Sequence, residues 1–310
     1  MFLHPLDISF NLLKKSTSYF GYNPRLCFDS ALSVQSLEYN VAQALSAIKN
    51  VPFDSTNIVQ LENSSRTGDS AVSHSIFAIS PKNHLRRLTE CATQLVSPWA
   101  FDVFMAEYKS QEDHKAMANF RQMSTSPEAA SLWGHVFERL ALDYLDNIGG
   151  DFQIRQLVPG PPGPVTPWYL GRTRRYKFLE EEDLIREIKA NDNELLHLVP
   201  SASNFKAVDS ILYNPNDVLT CIQVTVSSKH PIDAKGLKKI QHWFPSKSTL
   251  KNLRPSTTSP WRFIFIVPPQ NVSSFKPQPW KHDTPSGEWA GKVHQYVLGL
   301  DVLKENLKNV

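Results

Sequence analysis

The sequence predicts an α/β fold: a mixed central sheet flanked by helices, preceded by a mostly α-helical N-terminal region. Three observations predict it. Up to about residue 126 the apolar residues recur mainly at three- and four-residue steps, the spacing of one helical face. From about residue 205 they alternate or run in short blocks broken by turn residues, the spacing of strands. Across 127–310 the order is helix, strand, insert, two strands, helix, two strands, which builds a mixed sheet with helices on its faces. The chain therefore reads as a helical region over 1–126 and an α/β domain over 127–310, with 158–200 inserted between core elements.

In the first region, Val34, Leu37, Val41, Leu45 and Ile48 share one face of a helix over 31–48, and Ser30 is placed to cap it. Further helices are predicted over 84–96 and 99–108, on either side of Ser97-Pro98, with a short strand over 73–80. Residues 111–127 are polar and read as a linker or a frayed helix. An amphipathic helix follows over 127–147; Trp133, Phe137, Leu140, Ala141, Tyr144 and Leu145 mark its core face. Gly149-Gly150 then supplies a left-handed stop. Residues 152–157 read as a strand, the five prolines in 158–168 dictate an extended loop, and a short polar helix is expected over 179–197. Strands are predicted over 205–213 and 218–228, around the turn Asn214-Pro215-Asn216-Asp217. A helix over 233–244, with Leu237, Ile240 and Phe244 inward, and strands over 261–267 and 293–298 complete the domain.

Composition removes several classes of function. The 310 residues hold 22 prolines and only 12 glycines, and no G-x-x-x-x-G-K-[ST] run exists to cradle nucleotide phosphates. The three cysteines, Cys27, Cys91 and Cys221, form no C-x-x-C pair, so neither a disulfide framework nor a zinc finger is supported. That usage fits a reducing, intracellular compartment. No stretch approaches the ~18 apolar residues that span a bilayer, and no basic segment precedes an apolar one at the N-terminus, so neither a membrane span nor a signal peptide is expected. A net charge of +3 permits a nucleic-acid partner without demanding one.

The residues that bear chemistry form a small set. Asp209 lies in an apolar strand, between Ala207 and Ile211 on one face and Val208 and Leu212 on the other. A carboxylate there is costly to bury unless it is paired or holds a cation. If the two central strands form a hairpin with an odd loop, Asp209 and Gln223 face each other, and period two sets Gln223, Thr225, Ser227 and Lys229 in one row beside them. Glu138 approaches from the helix. Two carboxylates and an amide oxygen are the hard ligands that Mg²⁺ takes, and such a cation activates water against a phosphodiester. From Lys229 to Arg262, eight Lys and Arg meet one acid, Asp233, with His230, His242, Trp243 and Trp261 interleaved. Lys229, His230, Lys235, Lys238 and Lys239 are the candidate contacts to a phosphate backbone. Taken singly, each residue also has an ordinary reading: Glu138 solvated, Asp209 satisfied by backbone amides, His230 a turn residue before Pro231, the lysines an exposed face.

Five runs together carry a resemblance. They are G-x-x-F-E-R-L over 134–140, F-x-A-V-D-S-I-L over 205–212, Q-V-T-V-S-S-K-H-P-I over 223–232, G-L-K-K-I over 236–240 and W-R-F-I-F-I-V-P over 261–268. In this order they resemble the nuclease-like domain of Crinkler effectors and retrotransposon-hot-spot proteins, within the PD-(D/E)XK restriction-endonuclease-like superfamily. The resemblance covers roughly residues 127–300. It implies a restriction-endonuclease-like core and Mg²⁺-dependent hydrolysis of nucleic acid, DNA in preference to RNA. By it, Glu138 corresponds to the helix acid and Asp209 to the central aspartate. Gln223 stands where the superfamily has Glu or Asp, and Thr225 stands at its lysine position, with Lys229 the nearest substitute. Those two departures carry the alternative: a catalytically degenerate, effector-like protein that binds nucleic acid or a host protein partner. The runs G-Y-N-P-R-L-C-F over 21–28 and S-H-S-I-F-A-I-S-P over 73–81 resemble the helical lid that follows the P-loop ATPase core in these proteins, here without that core. The resemblance also implies a nuclear destination in a host.

Overall fold

The apolar run Trp261–Val267 forms the strand around which the larger part of the chain is built. The computed structural model describes residues 8–21, 23–50, 77–81, 91–110, 130–147, 149–201, 205, 207–245, 248–281 and 287–302. The chain divides into two compact units, Met1–Val136 and Phe137–Val310.

The first unit holds α1 (Phe10–Phe20), α2 (Pro24–Ser30), α3 (Val34–Lys49), the strands β1 (Phe77–Pro81) and β2 (Cys91–Leu95), and α4 (Pro98–Lys109). Side-chain caps start the helices: Asn23 accepts from Leu26 N at 3.2 Å, Ser33 from Ser36 N at 3.0 Å and Ser97 from Ala100 N at 3.1 Å. The cap of α3 is thus Ser33 and not Ser30, whose hydroxyl instead accepts from the Asn40 amide at 3.0 Å. Phe20, Cys27, Leu37 and Ala44 form the core here. Residues 91–95 pair with 77–81 as an antiparallel strand, where helical spacing predicted a helix over 84–96. Pairing with the partner strand outweighs the local pattern. The earlier part of that helix, residues 73–76 of the expected strand and the linker at 111–127 lie outside the described residues.

The division between units falls inside α5 (Ala130–Asn147), where the sequence reading set it at 126/127. Past α5 the chain turns at Gly149, φ +61°, where an added Cβ would meet the Leu170 carbonyl oxygen at 2.4 Å. Then come β3 (Gly150–Gln156), β4 (Val165–Leu170), β5 (Arg174–Phe178), α6 (Glu181–Ala190), β6 (Leu196–Pro200), β7 (Ser210–Tyr213), β8 (Thr220–Val224), β9 (Ile232–Asp233), α7 (Ala234–His242), β10 (Trp261–Val267), β11 (Trp280–Lys281) and β12 (Val293–Gly299). Eight of these strands form one mixed sheet in the order β4-β3-β12-β10-β8-β7-β6-β5. Strand β10 runs parallel to both β8 and β12, and β7 is antiparallel to both β6 and β8. The α/β class predicted from sequence is the class observed, an eight-stranded mixed sheet with flanking helices.

The segment 158–200 supplies three strands of this sheet, β4 at one edge and β5 and β6 at the other, instead of standing apart as an insertion. Edge positions explain why it reads as polar: Pro167 is tolerated in β4, whose one neighbour is β3, and the exposed Arg174 and Lys177 blunt the edge at β5. The polar helix is shorter than expected, and Leu196–Pro200 is strand. The main core sits between the sheet and its helices, with Ile211, Cys221, Leu237, Ile240, Phe263 and Phe265 all buried in it. Among the described residues, no helix is long and apolar enough to cross a membrane.

Candidate functional site

The hairpin of β7 and β8 pairs Ser210 with Ile222, Ile211 with Cys221 and Leu212 with Thr220. One residue further, the ladder ends at Asp209. Its N–H donates to Ile222 O at 2.9 Å. Its Oδ2 accepts from Val224 N at 2.6 Å and from Gln223 Nε2 at 2.7 Å. The carboxylate therefore acts as the acceptor that a further ladder residue would have supplied. Gln223 is 6% exposed. Its amide nitrogen is spent on Asp209, which leaves the carbonyl oxygen as the side of that group able to face a cation.

Glu138 lies on α5, near enough for its charge to act on Asp209. Burial pushes its carboxyl up to about 7. Asp209 is raised well above the ordinary carboxylate range, first by burial and then by the Glu138 charge, while the Val224 amide and the Gln223 side chain pull it down in part. Two half-buried carboxyls whose charges oppose each other resist joint ionisation. A divalent cation relieves this, and the donors present are hard oxygens that fit Mg²⁺. Among the described residues, no group of three His, Cys, Asp or Glu side chains is placed to hold a metal. A cation here would have two carboxylates, with the remaining ligands neutral.

The other candidate residues are engaged in bonds of their own or lie on the surface. Thr225 is buried, its N–H donates to Ile266 O at 2.9 Å, and its Oγ1 accepts from Ser227 N at 3.1 Å. Strand β8 stops at Val224 and the chain bends over 226–228, so the expected row does not continue to Ser227 and Lys229. Local bonds take over there: Ser227 Oγ donates to Lys229 O at 3.0 Å and accepts from Lys229 N at 3.3 Å. Lys229 is exposed just past the bend. His230 is half-buried, its N–H donates to Gln278 Oε1 at 2.6 Å, and its ring lies 6.5 Å from Phe265. Burial lowers its pKa, which favours the neutral ring. Lys235, Lys238 and Lys239 are exposed along α7, and Lys238 Nζ pairs with Glu288 at 3.3 Å.

A polar cluster beside the site was not legible in the sequence. His197 on β6 is fully buried. Its Nδ1 pairs with Asp146 of α5, and its Nε2 lies 2.7 Å from Ser210 Oγ. Arg175 bridges Asp143 at 2.9 Å and also pairs with Asp146, and Thr173 Oγ1 donates to Asp146 at 3.0 Å. The sole signal was a histidine within an apolar strand, and its acidic partner is 51 residues away in the chain.

Compared with protein-family models, curated proteins and solved structures, the chain matches none of them.

Proposed function

We propose that the second unit is a metal-dependent nuclease-like domain that hydrolyses phosphodiesters in nucleic acid, DNA in preference to RNA. The observation that carries this is that the charge of Glu138, on α5, acts on Asp209, at the end of the β7–β8 hairpin. The resemblance to the Crinkler and retrotransposon-hot-spot nuclease-like domain points the same way, since it pairs these two residues. Mg²⁺ bound there would activate water and offset charge on the scissile phosphate. Glu138 and Asp209 would hold it, and the Gln223 carbonyl oxygen would complete the protein's share. Gln223 and the Val224 amide keep the Asp209 carboxylate turned in one direction. Lys235 and Lys239, exposed on α7, would attract the phosphate backbone.

A specific observation favours a second reading. Thr225 carries no charge and its hydroxyl is engaged with Ser227, and Lys229 is exposed just past the bend. An ammonium at the superfamily's lysine position is therefore missing, which fits an effector-like protein that binds nucleic acid or a host protein without cleaving.

Cleavage of labelled DNA and RNA in Mg²⁺, Mn²⁺ and EDTA separates the two. The first reading expects cleavage that requires metal and is lost in Asp209→Asn. Salt-sensitive binding that is indifferent to metal, with no cleavage in any of the three, supports the second. Undiminished cleavage by Asp209→Asn overturns the assignment of the site.

A further inference from the structure

We infer that His197 is a positioning residue for the acidic pair: by joining α5 to β7 it sets where Glu138 stands against Asp209. The inference deepens the reading of that pair as a cation site and rests on it. His197 and Ser210 are diagonal neighbours on one face of the β6–β7 pair, since His197 lies opposite Leu212. Both are fully buried. The ring has one nitrogen on the Asp146 carboxylate and the other 2.7 Å from Ser210 Oγ. Ser210 is the next residue after Asp209, and Asp146 lies on the same helix as Glu138. The ring thus ties the immediate neighbour of one acid to the helix that carries the other.

Apolar packing alone would not fix this arrangement. The buried face of α5, with Phe137, Leu140, Ala141, Tyr144 and Leu145, is held by contacts that carry no direction of their own. A shift of one residue turns a helix by about 100° and moves it about 1.5 Å along its axis, which would carry the Glu138 carboxyl away from Asp209. Directional bonds exclude such shifts. Besides His197, Arg175 and Thr173 hold Asp143 and Asp146. His197 alone among these reaches β7, the strand that directly follows Asp209. Ser210, His197 and Asp146 have the connectivity of an acyl-transfer triad. Ser210 has no exposure at all, so its hydroxyl serves as a bond within the core and not as a nucleophile.

The test uses the full chain with His197→Phe, Ser210→Ala and Glu138→Gln, and with His197→Phe and Glu138→Gln combined. Two readouts are taken on each: calorimetric Mn²⁺ affinity at pH 8, and, without metal, the ¹H–¹⁵N shifts of the Val224 backbone amide and the Gln223 side-chain amide. Both of those groups donate to Asp209. The expected result is folded His197→Phe protein with Mn²⁺ affinity at least tenfold weaker. Both amides should move as they do in Glu138→Gln, with no further change in the double variant. A lowered unfolding temperature with Mn²⁺ affinity and both amides unchanged would make His197 a structural residue only and overturn the inference. If wild type takes up no Mn²⁺, the cation reading falls, and the amide shifts alone decide the positioning role. If His197→Phe does not fold, Ser210→Ala, which removes just the β7 end of the link, is read by the same two criteria.

Discussion

Asp209 serves two ends at once. Its Oδ2 closes the β7–β8 ladder through Val224 N and Gln223 Nε2, and its charge confronts that of Glu138. These roles separate by substitution. Asp209→Asn keeps an oxygen that can accept both bonds and removes the charge. Asp209→Ala strands two buried donors, at a cost of about 1–3 kcal/mol each. Chemical denaturation should therefore find the alanine variant clearly less stable than the asparagine variant; equal stabilities would deny the ladder-closing role. The raised carboxyls also set a pH dependence. Burial lifts Glu138 from 4.5 to about 7, so between those values the folded state binds a proton that the unfolded chain has released. Stability then falls as pH rises through that window, by up to about 3 kcal/mol. The metal-free protein in EDTA should melt lower at pH 8 than at pH 5.5, and Glu138→Gln should lose much of that difference. A difference of the same size in wild type and Glu138→Gln would show that Glu138 is not its source. Asp209 was legible as the lone acid of an apolar strand. His197 was not, because its meaning lies in Asp146 and Ser210, which only the folded chain brings to it.

Elements were legible where burial is continuous and illegible at edges. Strand β10 runs over Trp261–Val267, the range its apolar run predicts, because a central parallel strand is covered on both faces. Strand β7 is shorter than its alternating pattern: the ladder stops at Ser210 because the Asp209 side chain takes the next bonds. Strands β4 and β5 were hidden by prolines and arginines, residues that edges accept. One contact between elements gives a sharp prediction. Gly236, in the first turn of α7, lies against the segment leading into Asp209. A Cβ there would meet Ala207 Cβ at 2.5 Å and Ala207 Cα at 3.0 Å. Gly236→Ala should therefore destabilise the protein by about 1–3 kcal/mol, although alanine favours a helix by about 1 kcal/mol. Denaturant unfolding checks this; a more stable variant would mean that the backbone at Ala207 yields freely.

Across the whole molecule, a net charge of +3 understates the local field around α7. Lys235 and Lys239 are exposed there, whereas Lys238 is engaged with Glu288 and burial lowers the pKa of His230. If α7 tracks a phosphate backbone, replacing Lys235 and Lys239 together by Gln should weaken DNA binding and reduce the slope of log K against log salt by about 2. Lys238→Gln should have a smaller effect. A slope unchanged in the double variant would move the nucleic-acid surface elsewhere.

The central claim is that a helix and a strand end bring two acids together to hold one divalent cation. Calorimetric titration of Mg²⁺ at pH 8 into wild type, Glu138→Gln and Asp209→Asn tests it most directly. Wild type should bind the ion, and each variant should bind at least tenfold more weakly while remaining folded. Equal affinity in all three proteins, or no uptake by wild type, would contradict it.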